Sequence, residues 1–330
     1  MVKIFQNKLK YILFLLIGAG IFYYIYRDFD FQLLRNHLSQ GFKYQWVLMA
    51  MGMIILSHVF RALRWNIVLN NNQRTVSFSN SFLAVMSAYF MNYIVPRMGE
   101  VTRCAGISKM EKISFSEALG TVVSERIIDM IMLLSLTVVV ILAQTSKIID
   151  FIKEQPKIYD KITMIFLNPM GIVAIIAIVA ALGFIAYKVI VSERLKKITM
   201  VQSFIQGILA IAKIQKPFQF ILYTLAIWFL YFAMDYVCFF AFDFTSHLSV
   251  MAGMTVFVFG SYGMVAPVQG GMGPWHFMTV EALALYGVGR QEGLIFALVV
   301  HSAITLVTIV VGGITSIIVT FKKPHQLTEA

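Results

Sequence analysis

Two apolar stretches of the chain stop at a proline that is followed, three residues on, by a glycine. One reads Tyr93-Ile94-Val95-Pro96-Arg97-Met98-Gly99-Glu100, the other Ala266-Pro267-Val268-Gln269-Gly270-Gly271-Met272-Gly273. A helix in lipid cannot shed backbone hydrogen bonds cheaply, so such breaks persist only against protein or beside a wet cavity. Paired breaks in the two halves of a membrane protein point to a polar site between repeats.

The rest of the chain puts these breaks in a bilayer. Apolar runs near 11–26, 45–69, 116–143, 170–191, 218–241 and 293–320 each have the length of a crossing. The runs 82–95 and 251–266 are shorter and end at the breaks. Each is followed by a short amphipathic piece, 100–112 and 274–288. The expected fold class is therefore all-α and polytopic, with six full crossings and two re-entrant broken hairpins. Composition agrees: 59% of the 330 residues are hydrophobic and 13% charged, too little polar surface for a soluble chain of this length.

The net charge of +11 does not point to nucleic acid, because the basic residues lie between apolar spans and suit loops at an anionic leaflet. They also set the orientation. With the N-terminus in the cytoplasm and both hairpins re-entrant, most lysines and arginines fall on the cytoplasmic side. The other side receives Arg27, Arg35, Lys43, Lys147, Lys153, Lys157, Lys161 and Arg290. Counting the first hairpin as a single crossing would put Lys188 to Lys216 outside. The expected location is the cell (inner) membrane, with both termini cytoplasmic. The first span follows Lys3, Lys8 and Lys10 but has no small-residue cleavage site, so it reads as a retained anchor.

Span, break and long span occur at 45–143 and again at 218–320, with three crossings between the two starts. The chain thus reads as one membrane domain, 1–330, of two inverted halves. The charge pattern puts the arginine-bearing first break on the cytoplasmic side and the glycine-rich second break on the outer side. That asymmetry predicts capture of an anionic group inside and weaker holding outside.

The charged residues at membrane depth are the candidate site. Glu125 and Asp129 are one helical turn apart and share a face, with Arg126 between them. They line a polar pathway, or Arg126 clamps a carboxylate elsewhere. Arg61 and Arg64 share a face beside Trp65. They read either as snorkelling anchors with the indole at headgroup depth, or as a guanidinium pair that forks onto a phosphate. Arg97, Glu100 and Arg103 accompany the first break, where freed amides also favour an anion. Around the second break, Gly270, Gly271 and Gly273 allow close backbone approach, and Gln269, Trp275, His276 and Glu281 are the polar or amphipathic neighbours. Asp235 and His301 are isolated candidates for the same cavity.

No P-loop, His-Glu-x-x-His or Gly-x-Ser-x-Gly run is present. Cys104 and Cys238 lack metal-ligand spacing. The sequence thus predicts no cofactor, no metal and no catalytic residue. Without a nucleotide site, movement through such a pathway is passive or ion-coupled, with Glu125, Asp129, Asp235 and Glu281 as the intramembrane proton carriers.

Phe60-Arg61-Ala62-Leu63-Arg64-Trp65, Asn92 to Glu100 with Arg103, Ser124-Glu125-Arg126-Ile127-Ile128-Asp129 and the Pro267 to Gly273 cluster together resemble the lysylphosphatidylglycerol synthase transmembrane-region (flippase-like) family. The resemblance covers nearly the whole chain. It implies a polytopic domain that, in the aminoacyl-lipid synthases, moves a modified phospholipid between leaflets. Those proteins add a soluble aminoacyltransferase domain, which is not expected here because the chain ends at Ala330 soon after the last span. In the family an acid closely follows the glycine cluster; here Trp275 and His276 follow, and the nearest acid is Glu281.

The leading expectation is a lipid translocase. Arg61, Arg64, Arg97, Arg103 and Arg126 would meet an anionic headgroup. Glu100, Glu125, Asp129, Asp235 and Glu281 would line or couple the route. Pro96, Gly99, Pro267, Gly270, Gly271 and Gly273 would form the breaks. The partners are membrane lipids and a separate lipid-modifying enzyme. Two other readings stay open: a membrane transferase acting on a phospholipid or polyprenyl-phosphate sugar with Glu125 or Glu100 as general base, and a non-catalytic partner of such an enzyme.

Overall fold

The computed structural model describes residues 16–70, 75–111, 113–145 and 214–322, with isolated positions at 149, 173, 177, 202, 205 and 209. Among the described residues there is helix and no strand. The expected crossing at 170–191 and both long connecting segments lie outside or largely outside them.

The helices are α1 (Leu16–Tyr26), α2 (Phe31–Ser39), α3 (Tyr44–Leu69), α4 (Phe78–Ile94), α5 (Met98–Glu111) and α6 (Phe115–Ala143). They continue with α7 (Pro217–Val237), α8 (Val250–Val265), α9 (Pro274–Ala284) and α10 (Arg290–Phe321). Their starts follow local chemistry. Ser114 and Ser249 accept from the amides of Glu117 and Ala252 at 3.2 and 3.3 Å, each supplying an acceptor the helix lacks. Pro217 and Pro274 occupy first-turn positions where no amide is needed.

Among the described residues four helices are long and apolar enough to cross a membrane: α3, α6, α7 with its 3-10 extension to Ala241, and α10. Their unpacked sides are apolar, with Ile127, Met130, Ile131 and Leu134 on α6 and Leu306, Ile309, Val310 and Ile314 on α10 exposed. Such surface is stable against lipid and not against water. The expected first crossing is described from Leu16 as a shorter apolar helix. The amphipathic α2 was not anticipated. Asp30 caps it at 2.9 Å from the Leu33 amide, and no residue in it is buried.

Both Pro-x-x-Gly breaks are turns between packed helix arms. In the first hairpin, α4 stops at Val95, held extended before Pro96, and α5 returns against it. Asn92 Oδ1 accepts the Gly99 amide at 2.7 Å near the tip. At the base Glu111 Oε1 accepts from Asn80 and the Ser77 amide at 2.6 and 3.0 Å. Gly99 lies so close to α4 that a Cβ there would sit 2.5 Å from Ala88 O. In the second hairpin α8 and α9 pack together, and a Cβ on Gly263 would sit 2.6 Å from Trp275 Cα.

Each hairpin has its own core. Trp65, Val85, Ile107, Met110 and Val122 surround the first, and Phe239, Val256, Trp275, Leu283 and Phe296 the second. Helix α10 links them. It packs along α4, where Gly312 approaches Met86 O and Phe90 closely. Lys109 of α5 donates to Thr320 O at its end, at 3.0 Å.

Candidate functional site

Five of the predicted charges, Arg61, Arg64, Arg103, Glu125 and Asp129, converge in the first core. Helical spacing turns Glu125 and Asp129 of α6 to one side, where Arg61 and Arg64 of α3 meet them. Arg61 Nη2 lies 2.7 Å from Asp129 Oδ2, and Arg64 Nη1 lies 2.9 Å from Asp129 Oδ1. Arg64 Nε approaches Glu125 Oε1 at 3.4 Å. Arg103, from the return arm of the first hairpin, holds the other oxygen: its Nη1 is 2.8 Å from Glu125 Oε2. Arg64 and Glu125 are wholly buried, and Arg61 and Arg103 nearly so.

Three guanidinium groups therefore face two carboxylates. Neutral groups take some of the remaining donors. Arg61 Nη1 donates to Tyr231 OH at 3.1 Å, and that hydroxyl pairs with Tyr89 OH at 3.1 Å. Arg64 Nη1 donates to Thr224 Oγ1 at 3.4 Å. The Arg103 guanidinium stacks on Trp65, 3.7 Å from the ring centroid. Even so, Arg64 Nη2 and Arg103 Nε and Nη2 have no hydrogen-bond partner among the described residues. Buried N–H groups of this kind suit an anionic oxygen.

Arg61 and Arg64 thus do not snorkel. They reach sideways into the bundle, and Trp65 is not an interfacial indole, since its Nε1 donates to Thr121 Oγ1 at 2.9 Å deep in the core.

Arg126 is separate. One residue after Glu125 the helix has turned by roughly 100°, so its side chain leaves the core. It is 53% exposed and its Nη2 lies 2.6 Å from Glu100 Oε1. This pair sits on the outer face of the α5–α6 contact, beside the buried cluster. Of the two readings of Arg126, clamping a carboxylate elsewhere matches this contact.

The two breaks meet. Arg97, exposed at the first tip, donates through Nη2 to Val265 O at 2.6 Å, at the end of the arm that leads into the second break. Tyr93 packs directly on Gly270. Arg97 takes a left-handed φ of +62°, a conformation that Gly270, Gly271 and Gly273 adopt at the second tip without a side-chain penalty. His301 of α10 reaches the second break, its Nε2 lying 2.9 Å from Gly270 O. His276 Nδ1 accepts the Gly273 amide at 3.3 Å, and the two imidazoles stand 4.5 Å apart.

Two predicted residues stand apart from both places. Glu281 is partly exposed and lies 4.0 Å from Arg290 Nη1. Asp235 is buried on α7, and its Oδ1 has no partner among the described residues. Sequence reasoning missed His58, Tyr89, Thr224 and Tyr231. The spacing held a signal for two of them: His58 is one turn before Arg61, and Tyr231 one turn before Asp235. Among the described residues no group of acidic, histidine or cysteine side chains could hold a metal ion.

Comparison with known proteins adds a family and a relative. The family model described as "Lysylphosphatidylglycerol synthase TM region" matches residues 11–312. A UPF0104 membrane protein of Methanocaldococcus jannaschii is 32% identical over 143 residues, which cover 42% of this chain and 41% of that protein. The match thus spans about two fifths of the relative's length. No solved structure matches the chain.

Proposed function

We propose that this chain, which belongs to the lysylphosphatidylglycerol synthase TM-region family, is a membrane lipid translocase that moves a lipid with an anionic headgroup between leaflets. The observation that carries the reading is the buried cluster of Arg61, Arg64 and Arg103 against Glu125 and Asp129, with one guanidinium in excess and N–H donors unused. A stability role alone does not explain this imbalance. Buried ion pairs add little net stability, and an unmatched buried charge costs several kcal/mol. An anionic headgroup balances the charge and accepts from the free donors.

The same cluster addresses the physical problem of transport. A charged headgroup cannot cross hydrocarbon without polar partners along its route. Exposed Arg126 and Glu100 offer the first contact, and the headgroup exchanges onto Arg103 and Arg64 while its acyl chains stay in lipid. Glu125 and Asp129 hold the empty site together when no lipid is bound. Arg97 and the glycines of the second break supply donors and backbone groups where the tips touch.

The contact between tips also supports an inverted repeat, with halves 45–143 and 218–320. Two hairpins entering from opposite faces would meet near the middle of the bilayer. In this reading both termini are cytoplasmic, the first break faces inward, and the protein resides in the cell membrane. A separate lipid-modifying enzyme would supply the lipid.

Reconstitution tests the proposal. Liposomes containing the protein and fluorescent lipids of several headgroups are treated with a membrane-impermeant quencher. The expected outcome is faster loss of inner-leaflet fluorescence for anionic headgroups than in empty vesicles. Equal rates for every headgroup would sink the reading. Loss of one lipid species from the membranes of a deletion strain, with unchanged leaflet exposure of the rest, would favour a transferase instead.

A further inference from the structure

We propose that Asp235 is a proton-binding site beside the arginine cluster and that its protonation drives lipid movement, the second part resting on the translocase reading above. Four carboxyl groups were candidates for carrying a proton within the membrane. Glu125 and Asp129 are tied to arginines at 2.7–3.4 Å, and Glu281 is partly exposed beside Arg290. Asp235 alone of the four is buried, 4% exposed, with no ion pair or hydrogen bond among the described residues. A lone carboxylate in such a place is costly, whereas a carboxyl group that exchanges a proton is not.

Among the described residues the surroundings supply no counter-ion. Helix α7 packs against α3, α8 and the turn Cys238–Ala241. The charged and titratable groups of these elements are Tyr44, His58, Arg61 and Arg64 of α3, Tyr262 of α8 and Cys238. Both arginines are engaged with Asp129 or Glu125. Tyr44 donates to Leu38 O, and Tyr262 pairs with Thr137.

Asp235 shares α7 with a residue of the cluster. Tyr231, one turn before it on α7, bonds both Arg61 and Tyr89. Tyr89 in turn stacks on His58, with ring centroids 3.9 Å apart. His58 is a second buried group of this kind, since neither ring nitrogen has a partner among the described residues. A neutral imidazole ordinarily donates through one nitrogen and accepts through the other. Asp235 and His58 thus lie on helices that pack together, each one turn from a residue of the arginine network, Tyr231 for Asp235 and Arg61 for His58. The carboxylate takes up H⁺ from one aqueous face and releases it to the other, and the change in charge alters how Tyr231 holds Arg61.

Two measurements on the full-length protein in lipid test this separately. Infrared spectra should show a protonated-carboxyl C=O stretch that disappears in Asp235→Asn and persists, shifted, in Asp235→Glu, with both variants eluting as monodisperse as the wild type. An imposed pH gradient should change the rate of anionic-lipid movement by at least about fivefold in the wild type and leave the rate of Asp235→Asn unaffected. A band unchanged in Asp235→Asn, or a wild-type rate indifferent to the gradient, overturns the proposal. A wild type that shows the Asp235 band but moves no lipid refutes the translocase reading and the coupling with it, while the proton site stands.

Discussion

The guanidinium of Arg103 lies 3.7 Å from the centroid of the Trp65 ring while its Nη1 sits 2.8 Å from Glu125 Oε2. One side chain from the return arm of the first hairpin therefore binds α3 through an aromatic face and α6 through a carboxylate. Glu125 is shared with Arg64, so losing Arg103 unbalances a buried network. Arg103→Leu is expected to destabilise the protein by about 3–5 kcal/mol, whereas Arg103→Leu with Glu125→Leu should cost less than the sum of the single changes. Chemical denaturation of the four proteins in detergent closes this double-mutant cycle.

Arg126 and Glu100 should behave differently. Their contact is as short, 2.6 Å, but Arg126 is half exposed. Arg126→Gln is expected to change stability by less than about 1 kcal/mol. The same variant should slow anionic-lipid movement, because the first contact for the headgroup is lost. Melting curves and transport rates measured on one preparation separate the two effects. A fall in both together would contradict the assignment.

The backbone of Arg97 provides a test of sign. Its φ of +62° suits glycine, whereas its side chain donates to Val265 O across the two tips. Both Arg97→Ala and Arg97→Gly remove the bond, but only alanine keeps the strain. Arg97→Gly should therefore be the more stable variant, by about 1 kcal/mol. Thermal stability of the two variants measures the difference.

Glycines at the hairpins should be intolerant where arms touch and tolerant elsewhere. Gly99→Ala and Gly263→Ala place a methyl group against backbone at 2.5–2.6 Å, and each should cost about 1–3 kcal/mol. Gly52→Ala, on α3 with open space around it, should be neutral or stabilising by up to about 1 kcal/mol. The contrast is read from denaturation midpoints of the three variants.

Much of the fold was legible because membrane helices are a local property of sequence. The run 45–69 became Tyr44–Leu69, 116–143 became Phe115–Ala143, and 293–320 became Arg290–Phe321. Both proline breaks appear where an amide is missing and the preceding residue is held extended. The amphipathic α2 escaped notice because its start is signalled only by Asp30, and the short helix has no long apolar run.

What the sequence by itself determined was the list of charged residues that must find partners in a membrane, and the two places where the chain must turn. Periodicity also placed Glu125 and Asp129 on one face, whereas the outward turn of Arg126 came with the structure. Only the tertiary structure decided who meets whom. Arg61 and Arg64 turn to the acids of α6, and Arg103 arrives from the hairpin to share Glu125. The two breaks touch through Arg97 and Val265, and Tyr89 with Tyr231 connects the arginines to the region of Asp235 and His58. Spacing along one helix predicts the direction of a side chain. The partner it meets depends on how separate helices pack, which in lipid is governed by shape and by polar groups seeking one another across long stretches of chain.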